Sequence, residues 1–233
     1  MKQFLTVLTA LTFLTFNSFS QDKVYIAVSL GSSSPIGDFS SKDPNNNSAG
    51  FANSGAIFDI SFAYKFNKNF GITALLRGQA NITDAQAIAD ELVKQNPTLS
   101  SKVKSGMWSI GGYMLGGYGS FPISEKVSFD SRIMFGFLTA TSPEFNVNLS
   151  GPGGSAWIKQ KSKSSSAFAH LIGVGFKWDA GKVISLLANF DYLGAKPEFR
   201  NVETISSLGQ SEKNTFSQRF GTINVGVGIG FRF

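Results

Sequence analysis

The only histidine of the chain is the first residue to test for chemistry. His170 stands alone, and the sequence contains no cysteine. A zinc site needs several nitrogen, sulfur or carboxylate ligands, so neither a metal nor a cofactor is predicted. His170 shares an alternating, bulky face with Phe168 and Ile172, and Ser166 is the next serine on that face. We expect His170 to face outward from the fold, and we expect no enzymatic activity. The alternative is an enzyme that modifies lipids with a histidine and a serine.

Charged residues at alternating positions of apolar segments suggest a different role. Asp59 and Arg77 are equally far from a turn centred on Lys68, so they would face each other on neighbouring strands. An unpaired charge in a poorly hydrated interior is costly. We therefore predict that this pair belongs to an internal charge network. The predicted network consists of Asp59, Arg77, Asp130, Arg132 and Asp191.

A glycine-rich run near the end of the chain suggests a nucleotide-binding loop. The run Gly226–Gly230 would need a preceding strand and a following helix for that role, but only three residues follow it. Glycines in a narrow barrel instead relieve crowding. Since they also leave space beside the last strand, a thin water path there is a further expectation.

The elements that position these residues are segments of alternating hydrophobicity. About ten residues of alternation followed by a break is the signature of a membrane β-barrel strand. Only Met107–Phe121 is too rich in glycine for its inward face to be assigned. The predicted strands are Val24–Gly31, Ala56–Phe66, Phe70–Ala80, Met107–Phe121, Val127–Leu138, Ala167–Trp178, Val183–Tyr192 and Gly221–Phe233.

The connections between these strands decide between a soluble and a membrane fold. Tight turns are predicted at Asn67–Asn69, Pro122–Lys126 and Asp179–Lys182. Long polar stretches lie between them, at Ser32–Gly55, Asn81–Gly106, Thr139–Ser166 and Leu193–Phe220. This alternation favours an all-β fold, an eight-stranded antiparallel up-and-down transmembrane β-barrel with short periplasmic turns and long extracellular loops. A soluble barrel is the alternative.

One long stretch contains a helical pattern, and the chain begins with a targeting pattern. Apolar residues recur at helical spacing between Thr83, the expected N-cap, and Pro97. Lys2, the apolar run Phe4–Phe16 and small residues before position 21 indicate a cleaved signal peptide. Residues 1–20 are thus assigned to the signal peptide and 21–233 to the barrel, with a retained anchor helix as the alternative.

Three short motifs of the chain are Pro35-Ile36-Gly37-Asp38-Phe39, Ser120-Phe121-Pro122 and Asp191-Tyr192. They resemble motifs of the outer-membrane β-barrel domain family of small porin-like proteins from Gram-negative, Bacteroidota-type bacteria. Gly228, Phe231 and Phe233 are similar to the terminal signal that the barrel-assembly machinery reads, although Gly226 stands where a polar residue is expected. The resemblance implies the fold and the outer membrane; it implies no activity, because the family is functionally mixed.

The charge distribution limits the partners of the chain. The formal net charge is +6, and the excess lies mostly in the loops, so no nucleic-acid partner is predicted. Lys159, Lys161 and Lys163 could meet lipopolysaccharide phosphates, or could form an ordinary solvated loop. Two functions remain open: a non-enzymatic structural or interaction protein, with an unknown protein partner, and a narrow channel for small solutes. Eight strands leave an interior that side chains fill, which favours the first.

Overall fold

A computed structural model describes residues 23–43, 45–46 and 48–233. The predicted signal peptide lies outside the described residues. Within the described residues, no helix is long and apolar enough to cross a membrane. In the described part of the chain, one α-helix, α1 (Ala85–Gln95), and a short 3-10 helix (Gly37–Phe39) accompany the strands. The strands are β1 (Val24–Pro35), β2 (Ala52–Lys65), β3 (Phe70–Thr83), β4 (Ser100–Ser105), β5 (Met107–Pro122), β6 (Val127–Thr141), β7 (Phe145–Gly151), β8 (Gly154–Gln160), β9 (Ser164–Asp179), β10 (Ile184–Ala195), β11 (Glu198–Ser206), β12 (Ser211–Ser217) and β13 (Phe220–Arg232).

Eight of these strands form a closed barrel in the order β1-β13-β10-β9-β6-β5-β3-β2. Every pair of neighbours is antiparallel, and consecutive barrel strands lie side by side. β13 returns to β1, so the sheet has no free edge. The predicted eight-stranded up-and-down β-barrel is therefore confirmed.

The tight connections lie together at one end of the barrel, called the turn end, and the long ones lie at the loop end. Side chains fix the turns locally. The Asn67 side-chain oxygen accepts hydrogen bonds from the backbone amides of Asn69 and Phe70, both at 2.9 Å. Ser124 Oγ likewise accepts from the Val127 amide at 3.2 Å. Such Asx and Ser turns stabilise the chain reversal together with backbone hydrogen bonds, such as that from the Ile123 amide to the Val127 carbonyl at 2.8 Å.

The two faces of the barrel differ as the alternation predicts. Large apolar side chains point outward, among them Phe58, Leu115, Phe135 and Val227, which are 44 %, 64 %, 52 % and 66 % exposed. Contact of such an apolar belt with lipid has no free-energy cost, whereas its exposure to water is unfavourable. In β5 the even residues, such as Met114, point inward. The sequence did not show which face of β5 points inward, because glycines occupy both faces and have no side chain.

The barrel strands extend beyond their predicted ends on the loop side. β6 continues to Thr141 and β9 begins at Ser164. On the outer face of this extension, Thr139 and Thr141 form hydrogen bonds with Ser166 and Ser164, both at 2.8 Å. Serine and threonine do not alternate with apolar residues here, so a hydrophobicity pattern places the strand ends too early.

The long connections are more ordered than their polar composition predicts. β4, β7, β8, β11 and β12 form a second sheet at the loop end, in the order β12-β11-β8-β7-β4. We call this sheet together with α1 the cap. The predicted helix is present, but the prediction that Thr83 is its N-cap residue is wrong. Thr83 is still in β3, and Asp84 Oδ1 accepts from the Ala87 amide at 2.9 Å.

Candidate functional site: the closed lumen and the cap

Arg77 spans the lumen between carboxylates on two different sides of the barrel. Its Nε and Nη2 donate to the two oxygens of Asp59 at 2.8 and 2.6 Å. Its Nη1 and Nη2 donate to the two oxygens of Asp191 at 2.8 and 3.1 Å. Arg132 Nη2 donates to Asp191 at 2.9 Å, and Asn224 adds a bond at 3.0 Å. The structure therefore brings together four of the five predicted network residues.

The strand register places these groups at one level. Asp59 is paired with Arg77 across β2 and β3, as the distance from the turn predicts. Gly173 of β9 is paired with both Arg132 and Asp191, and a Cβ there would lie 2.9 to 3.2 Å from their side chains. The Arg77 and Asp191 side chains are only 1 % and 2 % exposed. Two arginines balance two aspartates, so the buried network carries no net charge.

Asp130, the fifth predicted member, belongs to a separate cluster nearer the turn end. Its Oδ2 accepts from the Tyr118 hydroxyl at 2.8 Å and lies 3.9 Å from Lys177 Nζ. Lys177 also donates to Ser120 Oγ at 3.3 Å. Asp130 therefore interacts with Tyr118 and Lys177 and not with Arg77; the residue paired with it across β5 and β6 is Ser120. The sequence missed Tyr118 because the phase of β5 could not be assigned.

The space expected beside the glycines of β13 is filled. A Cβ at Gly230 would lie 2.1 Å from the Tyr25 hydroxyl, and a Cβ at Gly228 would lie 2.2 Å from Ser29 Oγ. These glycines admit inward side chains of β1. A cavity of about 30 Å³, lined by Tyr25, Tyr118 and Asp130 among others, remains in this part of the lumen. Its volume is that of about one water molecule.

Aromatic side chains close the lumen at the loop end. Phe39, Trp108, Phe199 and Phe220 are each at most 3 % exposed, and we call them the aromatic plug. The ring centroids of Phe39 and Phe220 are 4.4 Å apart, and those of Trp108 and Phe220 are 5.4 Å apart. Phe39 reaches the plug from the first long connection through Gly37, whose φ is +61°. The plug is not visible in the sequence, because its members come from four separate segments.

The remaining predicted residues lie on the outside, with the exception of Gly228. His170 is half-buried on the outer face, and its ring centroid is 5.8 Å from that of Tyr192. Phe231 and Phe233 point outward, 41 % and 55 % exposed, whereas Gly228 faces the lumen. Among the residues that the structure describes, no three His, Asp or Glu side chains cluster as a metal site requires.

The basic run of the third long connection is partly neutralised within the cap. Lys159 pairs with Glu144 at 2.9 Å, and Lys161 pairs with Glu203 at 2.8 Å. The carboxylates of Glu144 and Glu203 each have their pKa lowered by the hydrogen bond from the neighbouring lysine. Lys163 is exposed, and its backbone amide donates to Ser142 Oγ at 3.0 Å. The three lysines therefore do not form one continuous basic patch.

Comparisons with known proteins identify similar barrels. No protein-family model matches the sequence, and no curated protein matches it. Among solved structures, the outer membrane protein OprG from Pseudomonas aeruginosa aligns with 91 % of this chain and 97 % of its own, at 10 % identity and a TM-score of 0.50. Ail, the attachment invasion locus protein of Yersinia pestis, aligns with 91 % and 99 % at 15 % identity and a TM-score of 0.42.

The outer membrane protease OmpT from Escherichia coli also matches, over 94 % of this chain and 99 % of its own, at 10 % identity and a TM-score of 0.36. At such low identity, the likeness to OprG shows the fold alone. The chain has the closed antiparallel architecture of outer-membrane β-barrels.

Proposed function

We propose that this chain is a non-enzymatic outer-membrane β-barrel protein that acts through its extracellular cap. The observation that carries the proposal is that the lumen is closed twice while the long connections form an ordered sheet. Arg77 ties both sides of the lumen together at mid-height, and the aromatic plug seals the loop end. A protein that works through its surface needs an ordered cap, whereas a channel needs an open lumen.

The outer-membrane location is supported by the closed sheet and the outward apolar belt. A spanning β-structure must satisfy every backbone hydrogen bond within itself, which only a closed barrel does. We place the turn end in the periplasm and the cap outside the cell, facing lipopolysaccharide. A cleaved signal peptide and the barrel-assembly machinery complete this route.

The non-enzymatic part of the proposal is supported by the surroundings of the only histidine. OmpT is described as a protease, so a barrel of this shape is compatible with enzymatic activity. In this chain, however, His170 lies on the outer face between Phe168 and Ile172, and the nearest ring is Tyr192. No described contact activates a serine hydroxyl there.

Planar-bilayer recordings separate the proposed function from a narrow channel. The folded protein should produce no steady conductance, because salt-bridged and aromatic side chains fill the lumen in series. Stable channels of uniform size that change when Arg132 is replaced by glutamine would overturn the proposal in favour of the channel.

A further inference from the structure

A cavity of about 380 Å³ lies at the loop end, between the cap and the barrel. Trp108 lies below the cavity. The other large apolar residues of its lining are Phe51 before β2, Ile88 and Leu92 of α1, Phe145 and Val147 of β7, Ile158 of β8 and Phe216 of β12. None of the described residues that line it is charged. The rest of the cap surface is rich in lysine and glutamate, so this uncharged lining is local.

The floor of the cavity is fixed by the aromatic plug. The Trp108 indole N–H donates to the Gly50 carbonyl at 2.9 Å. A Cβ at Gly50 would lie 2.5 Å from the Phe39 carbonyl oxygen, so only glycine permits this close packing. Because the plug seals the lumen beneath, the cavity has no continuation into the barrel.

The wall beside α1 includes a strained residue. Phe51 has a φ of +48°, in the left-handed region that large side chains rarely adopt. Its carbonyl accepts from the Asp84 amide at 2.8 Å, which ties it to the start of α1. Backbone strain of this kind is concentrated at ligand sites. Ile88 and Leu92, one helical turn apart, place their side chains in the same cavity.

A few neutral polar groups complete the lining. Gln160, Thr204 and Gln218 face the cavity, and Gln218 Nε2 donates to the Ser48 carbonyl at 2.9 Å. A mostly apolar cavity of at least 300 Å³ with a few neutral polar groups has the size and composition of a small-molecule site. A charged ligand would lose its hydration here without gaining an ion pair.

We propose that this cavity binds one small, neutral, mainly apolar molecule with an aromatic ring or a short aliphatic chain. At protein packing density, the volume accommodates roughly 15 non-hydrogen atoms. This site rests on the proposed function and extends it, because it gives the cap a class of ligand.

The test uses Trp108 as a reporter at the floor of the cavity. In a Trp157→Phe, Trp178→Phe background, Trp108 is the only tryptophan left. The full barrel in lipid nanodiscs is titrated with 2-bromonaphthalene, a neutral aromatic molecule that quenches indole fluorescence on contact. Saturable quenching is expected. Leu92→Lys, which brings a charge into the cavity, should weaken binding at least tenfold.

Gln95→Lys is the matched control, because it adds the same charge at an exposed position of the same helix. It should bind like the parent protein. Val147→Phe, which fills the cavity without adding charge, should also abolish saturable quenching. Quenching that is linear in the parent, or equal in the parent and Leu92→Lys, would overturn the site. A failed proposed function would instead appear as steady conductance.

Discussion

Arginine is the residue type that the centre of this lumen requires. A guanidinium has five N–H donors in a rigid plane, and Arg77 uses them on two carboxylates from opposite sides. Lysine could not bridge both with paired bonds. The network pairs the charges of three buried residues, Asp59, Arg77 and Asp191, and the partly buried Arg132 with one another. The loss of one member therefore affects the others, although they lie on different strands.

Removing one residue of this network should lower the free energy of unfolding far more than removing a charge from the surface does. Arg77→Met leaves Asp59 buried without a counter-charge and leaves Asp191 with Arg132 alone, and we expect a loss of about 3–5 kcal/mol. Asp59→Leu should also destabilise the barrel. The double variant should lose less than the sum of the single losses, because each carboxylate or guanidinium that remains unpaired in a single variant is then gone.

The measurement is urea unfolding from lipid vesicles. Arg200→Met serves as the control, because Arg200 pairs with Glu198 at 3.0 Å on the surface, with its side chain 73 % exposed. That variant should be indistinguishable from wild type. Additive losses from Asp59 and Arg77 would contradict the direct contact.

At the scale of elements, the start of α1 is stabilised by one carboxylate, that of its N-cap residue Asp84. The hydrogen bond from Lys42, followed by that from the Ala87 amide, lowers the pKa of Asp84. A lowered folded pKa means that the carboxylate stabilises the helix fully above its unfolded pKa of about 3.9. This stabilisation is lost as the pH falls through the folded value.

Asp84→Ala should therefore reduce the hydrogen-exchange protection of the Ala87 amide at neutral pH, at a cost of about 1 kcal/mol to the helix. Acidification of the wild-type protein should have the same effect once the pH falls below the folded pKa of Asp84, which lies under the ordinary value. Asp90→Ala removes a carboxylate from the same helix but not from its N-cap position, and should leave Ala87 protected. Equal protection in Asp84→Ala and wild type would refute the capping role.

The barrel strands were predictable from the sequence, and the cap sheet was not. A strand with one face to lipid alternates apolar and polar residues, so segments such as Val127–Leu138 are visible in a single sequence. The cap strand β12, Ser211–Ser217, is polar at every position except Phe216, because most of the strand faces water. The pairing of Asp59 with Arg77 was predictable because the two residues are equally far along the chain from a turn. The plug, in contrast, depends on contacts between distant segments.

At the scale of the whole molecule, the ends of the chain close the barrel. Val24 and Phe233 exchange two backbone hydrogen bonds, at 3.2 and 2.9 Å, where β1 meets the last residues. Phe231→Ser with Phe233→Ser should reduce the amount of folded protein in the outer membrane and increase its degradation in the periplasm. The measurement is the protein level in separated membrane fractions.

Val227→Ser, an outward change on the same strand, is the control, because Val227 is not part of the proposed signal. Its membrane level should remain close to that of wild type. If the Phe231 and Phe233 variant also reached wild-type levels, the last strand would not be the assembly signal.

The two closures of the lumen act in series, and this determines how the barrel responds to substitution. Ions must pass both the Arg77 network and the aromatic plug, so opening either one alone leaves the other in place. Trp108→Ala alone and Arg77→Met alone should therefore remain silent in planar bilayers. Trp108→Ala combined with Phe39→Ala and Arg77→Met should conduct, provided that it folds, which its heat-dependent gel mobility reports. Ile133→Ala, on the lipid face at 54 % exposure, should change nothing. Conductance in the Arg77→Met variant alone would show that the plug is not a seal and that the charge network is the only barrier.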